Sequence, residues 1–168
     1  MNQMSRALLA IALFLNSAAC VVAQDIPVVL RGTWRVQRML PADTVSCWGE
    51  KQARGLIGTR IEYTADSFRW KDKLISHPGV KVAVVTADQF QEEYSGSGSF
   101  VDFARLGIRG SQATQIQIDH PAADITGGSI EIPGDDILIK DRNTIVFSAC
   151  NVYFEAKRES AQKKTVRH

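Results

Sequence analysis

Apolar and polar residues alternate along several short stretches of this chain. Trp34 and Val36 alternate with Thr33, Arg35 and Gln37, Ile61 and Tyr63 with Arg60, Glu62 and Thr64, and Phe68 and Trp70 with Ser67 and Arg69. A period of two sets one face of each stretch against a core and the other in water, which predicts half-buried strands. Ala65-Asp66 is a tight connection that makes 59–70 a hairpin, and Lys71-Asp72-Lys73 turns the chain outward again. Residues 80–85 are mainly β-branched and predict a further strand. Thr86 and Gln89 have capping-box spacing, so a helical turn is expected over 88–94, followed by a flexible Ser/Gly loop at 95–99. Phe100, Phe103 and Leu106 then recur at helical spacing with Gly107 as the stop, giving a second short helix whose apolar side lies on the sheet. Strands resume over 113–119, 129–132, 137–140, 144–148 and 152–158, the last three joined by turns at 141–143 and 149–151. This order predicts a mainly all-β antiparallel barrel of about eight strands with one or two short helices, since closure removes exposed edges.

The first 23 residues break this pattern. Arg6 precedes an apolar run at 7–15 that is too short to span a bilayer, and Val21-Val22-Ala23 offers small side chains for cleavage before Gln24. Residues 1–23 are read as a signal peptide, 26–158 as one domain and 159–168 as a disordered basic tail. Ser17-Ala18-Ala19-Cys20 permits a second reading, in which Cys20 is retained as a lipid tether. No later stretch is apolar for long enough to cross a membrane as a helix, so a periplasmic or secreted protein without a transmembrane segment is expected.

Charge narrows the partners. Twenty Lys and Arg oppose 18 Asp and Glu, for a formal net charge of +2. Phosphate neutralisation calls for a basic face, and none is evident, so nucleic acid is not an expected partner. In an oxidising compartment Cys47 and Cys150 are expected to form a disulfide, tying an early loop to the penultimate turn.

Gly32-Thr33-Trp34 on the first strand, with Arg158 ending the last, resembles the lipocalin-like (calycin) barrels, and 56–68, 106–108 and 152–154 resemble small secreted bacterial domains of uncharacterised role. The resemblance implies that Trp34 lies across the barrel floor beneath Arg158. The glycine lets the strand bend there, and the arginine adds a cation–π contact worth about 0.5–2 kcal/mol. Two departures stand out: the helix expected before the last strands is not evident, and the 87–106 insertion is unusual.

Chemistry is sparse. His77 and His120 each precede a proline, and neither has a second histidine or a cysteine at metal-ligand spacing. Asp119, His120 and Asp124 are the only grouping that suggests a divalent ion, and exposed loop residues explain them more simply. Ser111 and Ser148 sit in no nucleophile elbow. Asp135-Asp136 and Glu92-Glu93 are adjacent pairs that point different ways and read as solvated turns. No metal, cofactor or catalytic residue is therefore assigned, and the expected function is non-enzymatic. The leading expectation is a small apolar ligand held in the barrel interior by Val36, Ile61, Tyr63, Phe68, Ile116, Ile118, Phe147 and Phe154, unless these side chains simply fill it. The alternative is an exported protein partner on the rim, as for an inhibitor or immunity-type partner of an envelope enzyme. Trp48, Trp70 and Tyr153 are the aromatics that would serve such a contact if they met at the surface. A hydrolase is a third, disfavoured reading.

Overall fold

The computed structural model describes residues 25–41, 43, 46–95, 100–120 and 132–160. The expected leader with Cys20, Asp124, residues 96–99, the strand positions 129–131 and the tail beyond Ser160 lie outside the described residues. The elements are β1 (Gly32–Met39), α1 (Glu50–Arg54), β2 (Arg60–Tyr63), β3 (Ser67–Trp70), β4 (Lys73–Ser76), β5 (Gly79–Thr86), α2 (Ala87–Tyr94), α3 (Phe103–Leu106), β6 (Gln112–Asp119), β7 (Asp136–Asp141), β8 (Thr144–Ala149) and β9 (Val152–Arg158).

All nine strands form a single antiparallel sheet in the order β4-β3-β2-β1-β9-β8-β7-β6-β5. Ile61 and Phe68 lie far from Val80 and Ile116 in that order, yet all four belong to one buried cluster. Only a curled sheet brings them together, and the result is a half-barrel with a concave core. The mainly β, antiparallel architecture read from the sequence is thus present. Closure stops at β4 and β5, which follow one another through His77 and Pro78 without pairing. β4 has only 4 residues, His77 takes a left-handed φ of 49°, and Pro78 has no N–H for a ladder.

At the core's centre the Trp34 indole is fully buried and donates to the Leu30 carbonyl at 2.7 Å. The Arg158 guanidinium stands 4.2 Å above the ring and donates to the carbonyls of Arg31 and Val29. Gly32 is required here twice over: its φ is +125°, and a Cβ would come within 2.9 Å of Arg158 Nη1. Gly32, Trp34 and Arg158 thus meet at one place in the fold.

The other face of the sheet departs from simple alternation. Ile137-Leu138 and Ile145-Val146-Phe147 are continuous apolar runs, because β7 and β8 are buried on both sides. Leu138, Val146, Ala113 and Tyr153 face outward into a second cluster with Phe90 of α2 and Phe103 and Leu106 of α3. α2 and α3 therefore cover the convex face over β6–β9. Thr86 and Gln89 form the predicted capping box, and Gly107 closes α3 in the left-handed conformation. Phe100, expected to face the sheet, is instead 38% exposed, with the Arg105 guanidinium 4.8 Å from its ring.

Two elements have no counterpart in the sequence reading. β4 is exposed at three of its positions and shows no clear alternation, and α1 is a five-residue helix capped by Gly49 and Gly55. Glu159, read as tail, still belongs to the sheet: its N–H donates to Thr33 O at 2.8 Å, and its carboxylate joins Arg35 and Arg60. The Cys47–Cys150 disulfide is formed, with the Cα atoms 5.4 Å apart across a sequence separation of 103. Cys150 and Asn151 both have positive φ, so the disulfide anchors a tight β8–β9 hairpin turn.

Trp34→Ala should lower unfolding free energy by about 3–5 kcal/mol in urea titration, the range for deleting a buried aromatic. A loss under about 1 kcal/mol would contradict the role given to the indole. Replacing both Cys47 and Cys150 by alanine should cost up to about 4–5 kcal/mol, the loop-entropy value for a closure of this length, and should leave the circular dichroism spectrum unchanged.

Candidate functional site

The eight residues assigned to the barrel interior all meet in the concave core, where none is more than 4% exposed. Tyr63 stacks on Phe68 at 5.2 Å between ring centroids and Phe147 on Phe154 at 5.3 Å. The segment before β7 enters the same space. Ile132, Pro133 and Gly134 are buried, and the Gly134 carbonyl accepts the Tyr63 hydroxyl at 2.6 Å. Gly134 has a φ of +94°, and a Cβ there would lie 2.6 Å from Tyr63 Oη and 2.9 Å from Ile61 Cδ1. The backbone thus lies directly on β2, and the side of the half-barrel that alternation leaves open is occupied by the chain itself.

Asp135 and Asp136 follow this plug and point in opposite directions, as expected, but they are not solvated. Asp135 Oδ2 is 3.0 Å from His120 Nε2, with side chains 19% and 5% exposed, and His120 Nδ1 has no hydrogen-bond partner among the described residues. Asp136 turns toward α2, where it accepts from Tyr94 Oη and Gln115 Nε2, both at 2.9 Å. Burial raises both carboxyls above their ordinary range; His120 opposes the rise at Asp135, and Gln115 and Tyr94 oppose it at Asp136. The Tyr63 hydroxyl is likewise pushed up, first by burial and then by the Asp135 charge.

This arrangement is a set of buried hydrogen bonds around the plug, in which the two carboxylates face different neighbours. Asp119 does not join His120; it pairs with Lys81 at 3.0 Å on the surface. Among the described residues no group of three His, Cys, Asp or Glu side chains converges as a metal would require. Glu92, Glu93 and Ser111 are exposed, Ser148 is half-buried, and His77 sits in the β4–β5 corner with its N–H on Asp66 O.

The aromatics held for a surface contact divide. Trp70 lies against the concave core with Lys71 Nζ 4.4 Å from its ring. Trp48 and Tyr153 share a cleft of about 230 Å³ with Met39, Leu40, Ser46, Glu50, Ala53 and Val152. The disulfide lies beside this cleft, next in sequence to its lining residues Ser46 and Trp48. Ser46 Oγ donates to Cys150 O and accepts from Trp48 N–H, each at 2.9 Å, so the Cys47–Cys150 link holds the indole beside β9. Sequence reasoning missed it because α1 and the disulfide loop carry no periodic signal. A larger, open groove of about 660 Å³ crosses the outer face of β1–β3. Its arginines have acidic neighbours: Arg60 pairs at 2.9 Å with Glu159, which Arg35 also engages, and Arg69 lies 3.9 Å from Glu62.

No family model, curated protein or solved structure matches this chain.

Asp136 supplies a test of the buried network. A carboxyl raised by burial destabilises the fold while ionised, and this cost is relieved as pH falls through its folded pKa toward the ordinary 3.8. Acidification from pH 7 should therefore shift the stability difference between wild type and Asp136→Asn in favour of the wild type, levelling below about pH 3.8. A difference that stays constant across that window in urea titrations would mean that the carboxyl is not desolvated.

Proposed function

We propose that this chain is an exported, non-catalytic binding module with a lipocalin-like half-barrel as its scaffold, and that it works by meeting another exported protein at its surface. The carrying observation is the filled interior. The eight interior side chains pack on one another and on Ile132-Pro133-Gly134, so a ligand in that space would have to displace part of the fold. Gly32, Trp34 and Arg158 favour the lipocalin-like scaffold, and the Cys47–Cys150 disulfide suits an oxidising compartment.

The surface best suited to a partner is the Trp48 cleft. Its volume of about 230 Å³ is below the roughly 300–1,000 Å³ of small-molecule sites. It fits one apolar side chain offered by a protein, with Trp48 and Met39 as the apolar wall and the Glu50–Arg54 ion pair at the rim.

Titration of the oxidised protein with 1-anilinonaphthalene-8-sulfonate should give no saturable one-to-one binding. Stoichiometric uptake reversed by extracted lipid would overturn the proposal and restore an interior ligand. In pull-down from an envelope extract at a temperature where both proteins are folded by circular dichroism, Trp48→Ala should reduce the retained partner at least about tenfold. Undiminished retention by that variant would count against the cleft.

A further inference from the structure

The two free edges of the sheet are unlike. β4 is four residues long and carries exposed Lys73 next to the Lys71 turn, the usual protection of an edge against pairing. β5 is an eight-residue strand in unbroken register with β6, and its Val82 and Val84 are 43% and 64% exposed. Among the described residues its outer edge has no partner strand.

The ladder fixes which backbone groups that edge presents. Ile118 N–H donates to Asp135 O, away from β5, while Ala87 N–H donates to Ser111 O, continuing the β5–β6 ladder beyond Thr86. Antiparallel bonding alternates, so Gly79, Lys81, Ala83 and Val85 bond to β6. Val80, Val82 and Val84 therefore aim their N–H and C=O groups outward. The series ends at both sides for a definite reason: Pro78 has no N–H, and the Thr86 N–H is held by Gln89 Oε1 at 3.0 Å.

From this geometry we infer that β5 pairs with β5 of a second copy of this chain, antiparallel, about a two-fold axis through Val82. In that register Val82 faces its own copy and Val80 faces Val84, so every outward donor and acceptor finds a mate. Pro78 falls opposite Thr86, setting the two positions without a free N–H against each other. Lys81 falls opposite Ala83, so no like charges are opposed. The exposed valines meet valines across the axis, which covers the apolar surface that β5 leaves in water. A foreign strand could use the same edge, but this correspondence of both ends under one axis is a property of the sequence paired with itself. The inference uses a different surface from the Trp48 cleft and stands or falls separately.

Sedimentation equilibrium of the oxidised protein should show a monomer–dimer equilibrium. Val82→Lys, which opposes like charges across the axis at an exposed position, should shift it at least tenfold toward monomer without altering the unfolding midpoint measured at concentrations where both proteins are monomeric. Cysteine variants read the register directly. Residues facing one another as a hydrogen-bonded pair lie about 5.5 Å apart at Cα, within disulfide reach, so Val82→Cys should give a covalent dimer under mild oxidation. Ala83→Cys, whose position faces Lys81 of the second copy, should crosslink far less. A wild-type monomer at every concentration, or crosslinking at 83 in preference to 82, would overturn the proposal.

Discussion

The Arg158 guanidinium over the Trp34 indole is the contact on which the rest of the sheet depends. β1 lies between β2 and β9, so it alone joins the β2–β4 block to the β9–β5 block. Trp34 is opposite Ile61 on one side and Arg158 on the other, and its ring fills the floor of the space both blocks enclose. Arg158 also reaches the carbonyls of Val29 and Arg31, so one side chain closes the last strand, the indole and the turn preceding β1 into a unit. The contact requires Gly32, since a larger residue would meet the guanidinium and strain a positive φ.

Once the floor is set, the remaining sheet has two faces to bury. The concave face is filled from within by its own side chains and by Ile132 and Gly134. The convex face is divided. Near β6–β9 it is covered by Phe90, Phe103 and Leu106, while along β1–β3 it remains in water with Arg35 and Arg60 sharing Glu159. At the margin between these regions Glu155 is held below its ordinary range: burial alone would raise it, but Lys140 at 2.7 Å and Arg38 at 3.2 Å prevail. The buried carboxylate is tolerated at that boundary because two cations, Lys140 and Arg38, complete its hydrogen bonds.

Strands with one wet face were legible because alternation is a local property. Trp34 and Val36, Ile61 and Tyr63, and Phe68 all point where period two places them. The Thr86 capping box and the Gly107 stop were legible for the same reason, since each involves residues a few positions apart. β4 was not, because an exposed edge strand of four residues needs no alternation. Nor was the exposure of Phe100, which follows from its bridge to Asp43 rather than from helical spacing. The candidate sites were less legible still. Asp135 and Asp136 look alike in sequence, and only the plug decides that one meets His120 and the other Tyr94.

The meeting of Trp34 with Arg158 was implied only by the resemblance to lipocalin-like barrels; by itself the amino-acid sequence determined the strand-rich architecture and offered Cys47 and Cys150 as a disulfide pair. Short-range periodicity and residue chemistry carry that information. The tertiary structure decided that the barrel stays open between β4 and β5, that residues 132–134 occupy its interior, and that Trp48 and Tyr153 share a cleft. Each of these depends on contacts between segments distant in sequence, and no local pattern records which of two compatible packings a distant segment will complete.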